Sequence, residues 1–519
     1  MCYVISRIAI EDCERRVSVK KKFFLLSLIA VLALALGACR KKVTAKSVED
    51  LVWDDEKKEY VNEEDAKLVL WVDNEDFAKK VIELWEKKYP DVPLDWEEVG
   101  PVDVPEKLKN DGPAGLGGDV FYFPHDHIPG LRSQRLLFEF HSRDKDEFTN
   151  RMVDVAVDVT LHDGKMYAVP SSIENIAFLY NKQITEQLPV CETTFDTEAE
   201  NLREQLEAKE IYLEELFACV ADWGNSYKGA GVTLTDAADR FENVENGVIS
   251  DAEDKHTILA WQLYDSYHNY PFLTKHGYRV FGDDNDDYKK FNIHTEQVKK
   301  ALEDITGTWY GNKDDSKLFP GLASIEDLNW DHSVARFQKG QVAMTFTGPW
   351  VMGDMINTYL PEWIEDEKMG VTEDTELSDI IGVLEIPKFD NDVTPVTFSG
   401  VQVLGMNIFT EYPNAAMNLV RFLSSDEVMA VVYETWGKIP AITDTSKVPG
   451  LQDDKLSQGF LKQAEYAHAM PVIAEVDYMW DPLRDVWTYI FDEKMTIEQA
   501  QQRAHEDYQR LLSDAGVDY

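Results

Sequence analysis

At 519 residues and 44% hydrophobic content, the chain is long enough for two or three domains with full cores. Its 52 basic residues face 96 acidic ones, a net charge of −44, which excludes a nucleic-acid binder because Lys and Arg must neutralise phosphates. Acidity on this scale suits a soluble surface protein and leaves the fold class open.

Lys20-Lys21-Lys22 precede an apolar run from Phe23 to Leu36, followed by Gly37-Ala38-Cys39. The run is shorter than the ~20 residues a spanning helix needs, and it has the basic head, apolar middle and small-residue end of a secretory signal. Residues 1–38 therefore read as a leader, with 19–38 as the true signal peptide, since Arg, Glu and Cys ahead of the basic cluster suit a start codon placed too early. Leu36-Gly37-Ala38-Cys39 resembles a bacterial lipobox, which makes Cys39 the lipidated first residue of an exported chain. From 39 to 65 the chain is charged and aperiodic and reads as a flexible tether. Beyond it stand Cys191 and Cys219; export permits a disulfide between them without requiring it.

Leu68-Val69-Leu70-Trp71-Val72 is a continuous apolar run that predicts a buried strand, and Phe77, Val81, Ile82, Leu84, Trp85 and Tyr89 predict a helix that Pro90 stops. Val92 to Trp96 and Val120 to Phe123 are further strands, separated by a short helix and the Gly/Pro loop Asp111 to Gly118. Alternation of strand and helix predicts parallel pairing in α/β layers, with ligands bound beyond the carboxyl ends of the strands. At those ends stand Asp73-Asn74-Glu75-Asp76 and Phe123-Pro124-His125-Asp126-His127. No metal is expected at the two histidines, since adjacent strand positions point to opposite faces and no third ligand is evident.

Asp163 to Pro170 (DGKMYAVP) leads through Glu174 to Leu179-Tyr180-Asn181-Lys182. Thr197 and Glu200 form a capping-box pattern ahead of a helix holding Leu202, Leu206, Leu213, Leu216 and Phe217. Leu263 to Pro271 contains Asp265, Tyr267 and His268. The run Asp283 to Asp287 imitates the start of an EF-hand loop, but Tyr288 replaces its Gly and His294 its Glu, so a surface turn is expected. A short helix around Val334 and Phe337 stops at Lys339-Gly340, a strand runs from Val342 to Phe346, and Gly348-Pro349-Trp350 follows. Ile380 to Ile386 and Phe398 to Met406 are strands, Asn414 to Ser425 is an amphipathic helix, and Thr496 with Gln499 caps a last helix after Trp480-Asp481-Pro482-Leu483-Arg484.

The segments DGKMYAVP…LYNK, ARFQKGQVAMTFTGPWVM, RFLSSDEVMAVVYETWGKIPA and Trp480 to Arg484 stand in the order of extracellular solute-binding proteins of the maltose/maltodextrin-binding type, which the chain resembles over most of residues 66–511. That resemblance implies an α/β, two-lobed periplasmic-binding-protein type II clamshell, each lobe a sheet flanked by helices. Its N-terminal lobe would comprise 66–172 and 403–452, its C-terminal lobe 177–397 and 455–519, and its hinge crossovers 173–176, 398–402 and 453–454, with an atypical insertion within 183–256. By position it implies sugar stacking by Trp350, Trp480 and Tyr267, with Phe123 where relatives often have Trp. Asp126, Glu174, Asp265 and Glu75 match carboxylates that accept sugar hydroxyls, and Arg484 follows Trp480 at the family's spacing. Asp76, His127 and His268 depart from the family's Lys, Arg and other aromatic, which leaves the sugar itself open. The chemistry is coherent, because a pyranose has an apolar face suited to an aromatic ring and a hydroxyl rim suited to carboxylates, each such bond worth about 1.5–3 kcal/mol.

By the same resemblance the chain would be the binding lipoprotein of a carbohydrate ABC importer, capturing a maltodextrin-type oligosaccharide and delivering it to membrane permease subunits and their ATPase. It would be a monomer on the outer face of the cytoplasmic membrane, held in the lipid bilayer through Cys39, without cofactor or catalysis. A secreted glycoside hydrolase would use similar carboxylates and aromatics, and a sugar-sensing or adhesive lipoprotein could retain the fold. Against the hydrolase stand the lipobox and the absence of G-x-S-x-G or H-E-x-x-H.

Overall fold

The computed structural model describes residues 44–220, 244–245, 248–251, 254–309, 329–331, 333–365, 371–491 and 495–519. The leader, Cys39 and part of the 183–256 insertion lie outside the described residues. Numbering only the strands of the two large sheets, the chain forms β1 (Leu68–Val72), β2 (Leu94–Glu98), β3 (Val120–Pro124), β4 (Ala168–Glu174), β5 (Ala177–Asn181), β6 (Val244–Glu245), β7 (Val248–Asp251), β8 (Asp254–Leu259), β9 (Val342–Thr347), β10 (Ile381–Leu384), β11 (Thr397–Met406), β12 (Ile439–Pro440) and β13 (Ala467–Ala469).

The first lobe is built on a sheet of order β12-β4-β11-β3-β1-β2, with β13 beside the first residues of β11. β1 pairs in parallel with β2 and β3, as strand-helix alternation predicts, whereas β11 runs antiparallel to β3 and β4. β1 is apolar throughout because both faces are covered. The helix Glu75–Lys88 starts where Asn74 Oδ1 accepts the Phe77 N–H (2.8 Å) and ends on Lys87 and Lys88, charges that suit its dipole. It buries Phe77, Val81 and Trp85, and the Trp85 indole donates to the Val92 carbonyl at 2.7 Å.

The second lobe has the order β6-β7-β8-β9-β5-β10. β5 lies antiparallel to β9 and β10, with Phe178 opposite Phe346. The chain passes from the first sheet to the second between β4 and β5, returns between β10 and β11, and crosses again after β12 into the helix Lys455–Ala464, which packs on β10. At the first passage Asn175 is buried and donates to the Phe460 carbonyl at 3.2 Å. One hydrophobic core includes residues of both sheets, and a smaller one around Trp71, Phe121, Phe123 and Leu131 belongs to the first lobe.

Two expectations need correction. From residue 44 onward the supposed tether is folded: Ser47 caps the turn Val48–Asp50, and Trp53–Asp54 pairs antiparallel with Glu59–Tyr60. Asn418 clamps that hairpin, accepting from Tyr60 N–H (2.9 Å) and donating to its carbonyl (2.8 Å), while the guanidinium of Arg143 lies 4.2 Å from the Trp53 ring. The hairpin's few apolar anchors are hidden among charges, and its main polar partner comes 358 residues later, so local sequence carries no sign of it. In the insertion, the helix Leu202–Glu207 is capped by Asn201, not Thr197, whose hydroxyl is bonded to Glu210. Cys191 and Cys219 form a disulfide there, with Cα atoms 5.6 Å apart.

Candidate functional site

β9 ends at Thr347, and the chain turns through Gly348 into Pro349–Val351. A Cβ at Gly348 would collide with the Trp350 indole, so glycine is what lets the ring fold back over the strand end. The half-buried Trp350 ring stands edge-on to Tyr267 (6.1 Å) and His268 (5.9 Å). Asp265 caps the short helix Ser266–Asn269: its Oδ1 accepts the His268 N–H at 2.9 Å and lies 2.7 Å from His268 Nδ1. Burial alone would raise the Asp265 carboxyl, but the facing imidazole and these bonds bring it below its usual value.

The Tyr267 hydroxyl reaches the carbonyls of Glu174 (3.0 Å) and Phe398 (3.3 Å), tying this second-lobe helix to the crossing strands β4 and β11. Trp480 opens the helix Trp480–Phe491; its carbonyl accepts from Ser266 Oγ (2.5 Å) and its ring meets Phe398 edge-on at 5.6 Å. One turn on, Arg484 is held by Asp481 and Asp485, both at 2.8 Å.

From the first lobe comes Lys438, at the start of β12's edge. Its ammonium, 4% exposed, donates to Glu174 Oε1 (2.8 Å) and Gln402 Oε1 (2.6 Å) and lies 4.0 Å from the Trp436 ring. Asp126 is 2% exposed, and its Oδ1 has no hydrogen-bond partner among the described residues. Asp73 and Asp354 reach solvent inside the cleft, yet partial desolvation by its walls raises both carboxyls, more than Lys438 lowers that of Asp73.

These elements enclose a cleft of about 680 Å³ between the lobes. Of the residues expected at a site, Asp126, His127, Glu174, Asp265, Tyr267, His268, Trp350, Trp480 and Arg484 all line it. Three do not. Phe123 points away into the smaller core against Phe121, with ring centroids 5.5 Å apart. Glu75 and Asp76 occupy the exposed first turn of the helix that Asn74 caps, with Glu75 paired to Lys79 at 2.6 Å; the cleft receives Asp73 and Asn74 instead. Sequence reasoning missed Lys438, Gln402, Trp436 and Asp354. The one available signal was a lysine lodged between Trp436-Gly437 and the apolar Ile439-Pro440-Ala441.

The lobes also touch directly on both flanks of the cleft. On one, His127 Nδ1 lies 3.3 Å from Asp477 Oδ1; burial lowers the imidazole's pKa, but Asp126 and Asp477 outweigh it and raise it to about 9. On the other, Gly353 packs against the Trp436 carbonyl, and Asn357 donates to the Thr435 carbonyl at 3.0 Å. Among the described residues no cluster of three or more His, Cys, Asp or Glu is arranged to hold a metal.

The chain is similar to the galactooligosaccharide-binding protein of Bacillus subtilis (strain 168), 23% identical over 494 residues that cover 93% of this chain and 96% of the relative. It is also similar to the maltooligosaccharide ABC transporter solute-binding lipoprotein of Streptococcus pneumoniae (strain ATCC BAA-255 / R6), 22% identical across 90% of this chain and 91% of that one. In fold it matches the Thermus thermophilus maltotriose binding protein bound with maltotriose, with a TM-score of 0.64 at 17% identity, covering 86% of this chain and all (100%) of that structure. The family model described as bacterial extracellular solute-binding protein matches residues 80–458. With its two lobes and interlobe cleft, the chain belongs to the bacterial extracellular solute-binding protein family and is a binding protein, not an enzyme.

Proposed function

We propose that this chain captures an oligosaccharide, of maltodextrin or galactooligosaccharide type, and presents it to the permease subunits of an ABC importer, whose ATPase drives uptake. The observation that carries this reading is the lining of the cleft: Tyr267, Trp350 and Trp480 offer rings to the apolar faces of sugars, and Asp126, Glu174 and Asp265 offer carboxylate oxygens to their hydroxyls. A volume of about 680 Å³ accommodates several sugar rings. Names of relatives agree, since they bind galactooligosaccharides or maltooligosaccharides. Ligand would shift the lobes toward closure only through contacts that both walls make in the closed form. In this reading the moving bodies are 66–172 with 403–452 and 177–397 with 455–519, turning about 173–176, 398–402 and 453–454. The chain works as an exported monomer, anchored through a lipid on Cys39 to the outer face of the cytoplasmic membrane.

Titrating the soluble chain with maltooligosaccharides and galactooligosaccharides, with cello- and xylo-oligosaccharides as controls, and following Trp fluorescence tests the proposal. A saturable change with recovery of intact sugar supports it; silence with every series removes it.

A further inference from the structure

We propose, resting on the oligosaccharide reading, that the cleft selects uncharged glycans and rejects acidic ones, and that Lys438 is a specificity-determining residue because its ammonium is taken up by the chain's own Glu174. Among the described residues, every basic side chain lining the cleft already faces a carboxylate of the protein. Lys438 holds Glu174 at 2.8 Å and Gln402 at 2.6 Å, and its third N–H has the Trp436 ring at 4.0 Å. Arg484 uses Nε and both terminal nitrogens on Asp481 and Asp485 at 2.8–2.9 Å. His127 faces Asp477 at 3.3 Å and His268 faces Asp265 at 2.7 Å.

The acidic side is not matched in the same way. Among the described residues Asp73, Asp126 and Asp354 line the cleft without forming an ion pair, and the buried Asp126 Oδ1 has no hydrogen-bond partner. Hydroxyl groups bring donors to such oxygens. A uronate or aldonate would bring a further negative charge into a partly desolvated cleft where, among the described residues, every cation already has a carboxylate partner, and like charges there are strongly rejected. Lys438 is the deciding cation because it is the most buried of the four and its charge is paired with the Glu174 carboxylate.

Calorimetric titration of the whole mature chain with pairs of similar size and linkage that differ in charge tests this. Maltotriitol against maltotrionate, and α-1,4-linked galactotriose against trigalacturonate, differ within each pair chiefly in carboxylates, one in the first pair and three in the second. Binding of a neutral member with its acidic partner roughly a hundredfold weaker or more supports the proposal. An acidic member that binds as tightly as its neutral partner overturns it while leaving oligosaccharide binding intact, whereas failure of both pairs and of the wider neutral series overturns the oligosaccharide reading and this proposal with it. Glu174→Gln, checked for an unchanged circular dichroism spectrum, then releases Lys438 and should narrow the neutral-to-acidic ratio about tenfold; an unchanged ratio removes Lys438 from the role. The wild-type pairs decide the charge selectivity even where that variant fails to fold.

Discussion

A Cβ added at Gly353 would stand 2.7 Å from the carbonyl oxygen of Trp436, so at this flank of the cleft the two lobes meet backbone against backbone. Gly437 answers it from the other side: at φ +67 it caps the helix Asp426–Trp436, and a Cβ there would lie 2.5 Å from the Gly353 nitrogen. Neither neighbour is the far end of a flexible side chain, so neither can move aside. Gly353→Val should therefore hold the lobes apart. The expected outcome is weaker sugar binding and, with saturating ligand, a larger radius of gyration by small-angle scattering than wild type, at similar unliganded melting temperature.

The opposite flank depends on pH. The His127 pKa is raised from 6.5 to about 9, so the stabilisation from its contact with Asp477 and its attraction to the Asp126 charge is complete below about 6.5 and disappears as pH rises through about 9. The melting temperature should fall over that interval, and Asp477→Asn should flatten the fall. A decline of equal size in the variant would place its origin elsewhere.

Trp350→Ala and Trp480→Ala each remove an aromatic face from the cleft. Each should weaken oligosaccharide binding by about 1–3 kcal/mol, the scale of buried aromatic anchors. Unchanged affinity in both variants, measured by calorimetry, would take the stacking role from them.

Lys275 makes a prediction about stability alone. Its ammonium, 4% exposed, meets Glu214 at 3.0 Å, Asp304 at 2.9 Å and Asp390 at 2.7 Å, joining the inserted segment to the body of the second lobe. Lys275→Met leaves three carboxylates facing one another. Breaking a buried pair from one side costs about 3–5 kcal/mol, so urea denaturation should show a loss of that order, and a loss under about 1 kcal/mol would mean that water replaces the lysine.

The parts legible in the sequence are those with local causes. Gly348-Pro349-Trp350 announces a strand end and a projecting ring by backbone chemistry alone, and Thr496 with Gln499 is a capping box that the structure forms. Asp265 was legible as an acidic neighbour of Tyr267, though its capping bonds to His268 were not. Glu75 and Asp76 were misplaced by two positions because the loop's turn into helix is set by Asn74, after which side chains face outward. Lys438 was illegible for another reason: its partners Glu174 and Gln402 come from distant strands, and only sheet pairing of β12 with β4 and of β4 with β11 brings the three together.

The folded hairpin at Trp53–Tyr60, clamped by Asn418, decides which lobe the leading part of the described chain belongs to. With Ser47 capping the turn Val48–Asp50 and Lys46 N–H bonded to the Ile408 carbonyl at 2.7 Å, the point where the described chain begins is fixed on the first lobe. Any pull on the chain ahead of residue 44 would therefore act on the first lobe, making it the stationary jaw and the second lobe the one that swings.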